Sequence, residues 1–199
     1  MTTKEFFRRL RHRLWSTSQT LLLLRPANAP LPEQTWKPCP GEFRDVTEEN
    51  INDCGQFENA VHYVPIYREM LKQGDVVHFG YLNGKCVFRH CMQRSGSFYE
   101  DGCLVHTLGA DEAFIHYVFC SPNARGLGFH TEGTRRFCEQ LLAHSFYTCV
   151  KPDNFPSLHG FFLSGFQPYS LLTVKNRFLF RRLHEHILTP EEIRKYYDI

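Results

Sequence analysis

The sequence predicts a mixed α/β (α+β) domain, and three observations predict it. Asn83-Gly84 stands between two β-rich runs, 76–82 and 85–92, and that dipeptide is a two-residue hairpin signal. An apolar run, Ala113 to Cys120, stops at a proline turn and is followed by Arg125, Gly126 and Gly128 and then by helical periodicity. Strand-like and helix-like segments go on interleaving to the C-terminus. At 199 residues the chain is long enough for one well-buried core and short for two domains.

Residues 1–41 read as an N-terminal segment in two parts. Phe6, Phe7, Leu10 and Leu14 recur at helical spacing among Lys4, Arg8, Arg9, Arg11 and Arg13, which predicts a short basic amphipathic helix. Such a helix either packs on its own domain or on a second copy in a homodimer, or lies on an anionic membrane surface. Leu21 to Leu24 is too short an apolar run for a signal-peptide core or a membrane span. Five prolines between 26 and 41 predict an irregular connector.

The main domain is placed at 42–188. Thr47, followed by Glu48 and Glu49, is a helix N-cap signal. A helix is predicted from Val64 or Pro65 to Gln73, stopping at Gly74. After the Asn83-Gly84 hairpin, the turn-rich stretch 94–103 reads as an exposed loop. Ala113 to Cys120 is the central strand, followed by a helix to about His144. Tyr147 to Val150 is a short buried strand, and Asn154 opens a helical segment that stops at Gly165. Tyr169–Val174 and Phe178–Arg182 read as a closing hairpin around Lys175-Asn176-Arg177. Residues 189–199 form a terminal helix: Thr189 is its N-cap, Pro190 its first residue and Glu192 its capping-box acid.

Composition narrows the function classes. A formal charge of +2 gives no argument for a nucleic-acid partner. The 8 cysteines contain no Cys-x-x-Cys and no zinc spacing with the histidines, so neither a disulfide framework nor a metal site is read. They read instead as reduced thiols of a cytoplasmic protein. Cys120 sits in apolar surroundings that predict a raised pKa and an inert thiol. The 18 phenylalanines predict a Phe-rich core.

The strand, glycine loop and helix at 113–144 carry the chemistry. The first turn of a helix has amide groups without intrahelical partners, at the positive end of its dipole. Glycines let the backbone approach a ligand closely. The product is an anion cradle suited to a phosphate or pyrophosphate; taken alone, the same glycines also suit a plain tight turn.

The downstream segment decides between these readings by resemblance. Arg125-x-x-Gly128-x-His130 fits a Gln/Arg-x-x-Gly-x-Gly/Ala loop at all but its last position. Asn154, Ser157 and Gly165-Phe166 sit at the offsets of a second pattern. Together, over roughly residues 42 to 182, the chain resembles the GNAT acyltransferase superfamily. The resemblance implies a single domain with a mixed, mostly antiparallel sheet flanked by helices. It also implies acetyl-CoA, or another acyl-CoA, as co-substrate and no metal. An amine of a small molecule or peptide would attack the thioester directly. It further implies that Val118, Phe119 and Cys120 hold the pantetheine arm. Arg125, Gly126, Leu127, Gly128, Phe129, His130 and Thr131 would hold the pyrophosphate. Asn154, Ser157 and Phe161 would lie beside the arm, although Ser157 also suits a simple turn cap. The acceptor would bind between residues 50–74 and 167–182.

Two departures stand out. His130 replaces the small residue that ends the loop, where its N–H can still face a phosphate. Phe161 stands where many members carry a tyrosine that protonates the leaving thiolate, and phenylalanine has no proton to give; His159 and Tyr147 are candidates for that role. For the base, His116 lies on the central strand, and alternation puts it on one face with Phe114 and Val118. It reads equally as a satisfied core histidine. Glu112, acting through water, is the second candidate. A longer acyl chain, a carrier-protein thioester, or a CoA-binding module without transfer are the alternatives.

Overall fold

The computed structural model describes residues 15–33, 38–141, 144–178 and 180–197. Ten strands are present among them: β1 (Trp15–Arg25), β2 (Glu42–Asp45), β3 (Val76–Leu82), β4 (Lys85–Gln93), β5 (Ser97–Glu100), β6 (Cys103–Thr107), β7 (Glu112–Cys120), β8 (Ser145–Val150), β9 (Gln167–Arg177) and β10 (Phe180–Ile187). The α-helices are α1 (Ala60–Lys72), α2 (Phe129–Gln140), α3 (Phe155–Phe162) and α4 (Pro190–Tyr197). Eight strands form one sheet in the order β10-β9-β1-β8-β7-β4-β3-β2, while β5 and β6 form a separate hairpin. Every pairing is antiparallel except β7 with β8. The mixed, mostly antiparallel sheet flanked by helices is therefore the architecture observed.

The sheet is buried from both sides. Under α2 and α3 lies a core with Leu21, Leu23, Ile115, Phe137, Phe146, Phe161 and Phe166, and Ile193 and Tyr196 of α4 pack against it. On the opposite face, α1 covers Val77, Phe79 and Cys91, and the β5–β6 hairpin covers Leu22, Phe114 and Leu172. Phe79, Phe88, Phe129, Phe137, Phe146, Phe161 and Phe166 are each no more than 1% exposed. Each contributes about 1.5–3 kcal/mol of burial. The Phe-rich composition is core.

Several expectations change. The domain does not begin at residue 42: β1 lies inside the sheet, between β9 and β8. Leu21 and Leu23 enter one core and Leu22 the other. A continuous apolar run is the pattern of a strand buried on both faces. The basic amphipathic helix expected before it lies outside the described residues. Helix α1 starts at Ala60, and Pro65 falls inside it; the carbonyl one turn back belongs to Val61, 88% exposed and open to water.

Stretch 94–103 is largely the β5–β6 hairpin, turned by Asp101 and Gly102 at φ 47° and 78°. That Asp-Gly pair is the same I′-type signal as Asn83-Gly84, whose φ values are 52° and 76°. Phe98 brings the hairpin onto the sheet by stacking on Phe114 at 4.0 Å. The last hairpin turns at Phe178, φ 58°, so Lys175, Asn176 and Arg177 stay in β9.

Candidate functional site

Strands β7 and β8 lie side by side only from Glu112–Ile115 to Ser145–Thr148. Beyond that point the ladder stops, although β7 runs on to Cys120 and β8 to Val150. The cause is on β7. Arg89 of β4 pairs with Phe119 and Cys91 pairs with His116, so two steps on β4 oppose three on β7. The extra residue makes a β-bulge, which bends the strand. Tyr117 sits in it at φ 51°, a conformation that costs a non-glycine residue roughly 1–2 kcal/mol.

A buried ion pair holds that bulge. Arg89 donates through one guanidinium nitrogen to the Tyr117 carbonyl and through Nε to Glu58 at 2.7 Å. Tyr67 donates its hydroxyl to the other oxygen of Glu58. The side chains of Arg89 and Glu58 are each 7% exposed. The rings of Tyr63, Tyr117 and Phe119 lie 4.9, 5.4 and 5.6 Å from the guanidinium carbon. Residues 57–67 thus reach across the sheet to fix the strand where it parts from its neighbour. The sequence reading missed Arg89 and Glu58. The legible signal was an arginine inside the apolar run of β4, since a charge buried in a strand needs a partner.

Where the strands part, a cavity of about 980 Å³ opens. Val118, Phe119 and Cys120 line it from β7, and Arg125 to Thr131 from the loop and the start of α2. Asn154, Ser157, His159, Gly160 and Leu163 line it from α3 and its flanks, and Pro38 and Pro40 from the connector. Twelve of the thirteen residues that the sequence places around a coenzyme converge on this one cavity.

The loop backbone is open toward it. Ala124 N–H bonds to Ser121 O and Glu132 N–H to Gly128 O. Among the described residues, the N–H groups of 125 to 131 between them have no backbone acceptor. Gly126 and Gly128 take φ 76° and 84°, which turns successive amides to the same side. Arg125 is exposed, with Nε 3.3 Å from the Cys120 carbonyl. Asn154 caps α3 without a side-chain cap bond and lines the cavity. Burial pushes the Cys120 thiol up to about 11, with Arg125 only partly opposing it. That thiol stays protonated, as its surroundings predicted.

Phe161 is the exception. The turn of α3 that exposes His159 buries Leu158 and Phe161, and Phe161 is 1% exposed in the core. It packs edge-on against His130, centroids 4.5 Å apart. His130 also turns its ring inward, into space that Gly160 leaves: a Cβ on Gly160 would stand 2.5 Å from the His130 Nδ1. Burial lowers the His130 pKa to about 4. Its backbone faces the cavity while its imidazole fills the core.

The candidate proton acceptors are placed differently from the expectation. Glu112 stands at the far end of β7. One oxygen takes the Gly109 N–H at 2.8 Å and lies 2.7 Å from His106 Nε2; the other accepts the Tyr147 hydroxyl at 3.0 Å. Burial alone would raise this carboxyl, but those three hydrogen bonds outweigh it and hold it below its usual range. Glu112 and Tyr147 therefore organise the strand's entry and do not reach the cavity.

His116 stays on the side of Phe114, ring centroids 5.4 Å apart. Val118 does not share that side, because the bulge reverses alternation and packs it toward the helix-covered core. Burial, then the charge of Arg89, lowers the His116 pKa to about 4. Its Nε2 is enclosed with no hydrogen-bond partner among the described residues.

No protein-family model and no curated protein matches the chain. Solved structures do. A GNAT-family protein from Novosphingobium aromaticivorans superposes with a TM-score of 0.55 at 12% identity, covering 87% of this chain and 66% of that one. A GNAT-family acetyltransferase from Colwellia psychrerythraea gives 0.52 at 8% identity, covering 93% and 62%. The chain thus spans just under two thirds of the length of each. An aminoglycoside acetyltransferase, AAC(6')-Ib, solved with coenzyme A gives 0.51 at 14% identity, covering 65% of this chain and 86% of that one. At these identities the likeness is one of fold, and it agrees with the loop and Asn-Ser-Gly-Phe patterns in the sequence: this chain has the GNAT acetyltransferase fold.

Proposed function

We propose that the chain is an acyl-CoA-dependent N-acyltransferase, with acetyl-CoA as the default donor. One observation supports this most: loop amides with no backbone acceptor among the described residues line the cavity that opens where β7 leaves β8. Those amides suit the pyrophosphate, with Arg125 beside it. The open backbone of Val118 to Cys120 suits the pantetheine arm, and an N–H near Phe119 suits the developing oxyanion. An acceptor amine then attacks the thioester carbonyl directly, and the tetrahedral adduct expels the CoA thiolate. His159, exposed on the cavity wall, can return a proton to that thiolate. We place the acceptor on the α1 side of the bulge and assign it no chemistry beyond an amine.

Calorimetry tests the cofactor reading. Coenzyme A and acetyl-CoA are expected to bind, and Arg125→Ala to weaken both about tenfold, the loss of one charge-assisted phosphate contact. Absence of binding at millimolar ligand removes the proposal. For the base we assign His116, which is neutral at pH 7 and stands next to the bulge. His116→Ala is expected to cut kcat by a hundredfold or so and leave coenzyme affinity unchanged. An unchanged kcat moves proton transfer to water.

A second reading is a CoA-binding module without transfer. It is favoured by the enclosed Nε2 of His116 and by Glu112, whose two oxygens are both engaged. Thiol release with a panel of amines separates the two readings, because turnover with any acceptor removes the second.

A further inference from the structure

Four aromatic rings gather on the α1 side of the bulge, beside the reacting end of the cavity. Phe119 belongs to both places: it lines the cavity and stacks on Phe57, with centroids 5.5 Å apart and planes 11° apart. Tyr117 stands in the bulge itself and is 43% exposed, while Phe57 and Tyr63 are half-buried. Tyr63, Tyr117 and Phe119 share one cation, the Arg89 guanidinium. A flat ring entering here meets edges and faces of other rings, the arrangement in which aromatic pairs attract beyond simple burial.

The same wall offers little to a charged amine. The carboxylate beside it, Glu58, is 7% exposed, and its two oxygens are taken by Arg89 and Tyr67. The rings that would hold an ammonium by cation–π attraction already serve Arg89, and its charge repels a second cation at the same spot. The proposed base points the same way. The His116 ring lies 5.1 Å from that of Tyr117, and burial and the Arg89 charge hold its pKa at about 4. So weak a base does not deprotonate an alkylammonium, whose pKa is about 10, like that of lysine. It suits the far more acidic nitrogen of an adduct in which that nitrogen carries an aromatic ring.

Resting on the acyltransferase reading, we infer that the acceptor is an arylamine: a primary amine borne directly on an aromatic ring that packs among Phe57, Tyr63, Tyr117 and Phe119. Such an amine shares its lone pair with the ring and is uncharged at neutral pH, so it enters beside Arg89 without a counter-ion. Its lone pair forms the C–N bond to the thioester carbonyl, and the C–S pair leaves on the coenzyme sulfur. The proton that nitrogen loses at His116 balances the one that sulfur gains, and the products are an arylamide and free coenzyme A.

Thiol release from acetyl-CoA at neutral pH tests the inference with 4-methoxyaniline, benzylamine and spermidine. The first has a ring and a neutral nitrogen, the second a ring and a charged nitrogen, the third charges and no ring. The kcat/KM for 4-methoxyaniline is expected to exceed the other two by at least about tenfold, since each pKa unit above the ambient pH costs an amine tenfold in its neutral form. Tyr117→Asn removes the ring and keeps a residue that tolerates positive φ. It should raise the KM for 4-methoxyaniline roughly fivefold or more and leave the coenzyme Kd unchanged, and Phe57→Leu should do the same. Melting curves establish that both variants are folded. Faster turnover of benzylamine or spermidine, or a native KM in both folded variants, overturns the inference and leaves acyl transfer standing. Absence of thiol release with every amine, while coenzyme A still binds, removes acyl transfer as well.

Discussion

Replacing Arg89 by Met is expected to lower the unfolding free energy by about 3–5 kcal/mol, the cost of leaving one member of a buried ion pair alone. Glu58 would lose its guanidinium partner with a side-chain exposure of only 7% and would retain one bond, from the Tyr67 hydroxyl. The Tyr117 carbonyl would lose its donor at a residue already held at φ 51°. The effect should therefore appear in two measurements. Urea denaturation should show the loss of stability, and E58M/R89M should recover part of it, since a paired apolar replacement removes the stranded charge. Coenzyme titration of the folded fraction should show a weaker Kd in both variants, because neither holds the bulge that parts β7 from β8. A stability loss under 1 kcal/mol would mean that the pair is not a clamp. A double variant with native coenzyme affinity would mean that the bulge needs no clamp.

Acid is expected to destabilise the protein from pH 6.5 down to 4, beginning well above the range in which carboxylates titrate. Four histidines sit inside the fold. His78 and His90 flank the Phe137 ring at 4.2 and 3.9 Å, and His116 and His130 are enclosed near the cleft. Burial lowers all four pKa values. For His116 and His130 it does so to about 4, and His90 falls well below its ordinary 6.5. His78 is lowered although Nε2 lies 2.7 Å from Asp45, because that carboxylate is exposed and its attraction is screened.

The sign follows from proton counting. Below pH 6.5 the unfolded chain binds protons that the folded chain refuses until about pH 4, so stability falls as pH falls. The slope is about 1.4 kcal/mol per pH unit for each histidine. His116 and His130 thus lose on the order of 3 kcal/mol each, against a usual total of roughly 5–15 kcal/mol. Melting temperatures followed by circular dichroism from pH 7.5 to 4.5 should drop steeply below 6.5. His90→Phe should flatten the slope, and a pH-independent melting temperature would contradict the argument.

The central strand, the Asn83-Gly84 turn, the glycine loop and most of the residues that line the cavity were readable in the sequence. They rest on local physics: turn residues with φ above zero, a strand that stops at a proline, a helix that opens at Asn154. Arg125 to Thr131 line one cavity together because neighbours in sequence are neighbours in space.

What needed the tertiary structure was everything set by distant partners. Residues 15–25 joined the sheet because two separate cores accept alternate leucines, and no local signal counts cores. Phe161 left the predicted site because the facing of α3 is decided by packing against His130 and Phe166. Glu112 stands at the strand's entry, away from the cavity, because Gly109, His106 and Tyr147 converge on it. The cleft itself depends on one extra residue in β7 pinned by an arginine from β4 and a glutamate before α1. A bulge is a property of two strands in register, so a single chain of letters contains its cause without displaying it.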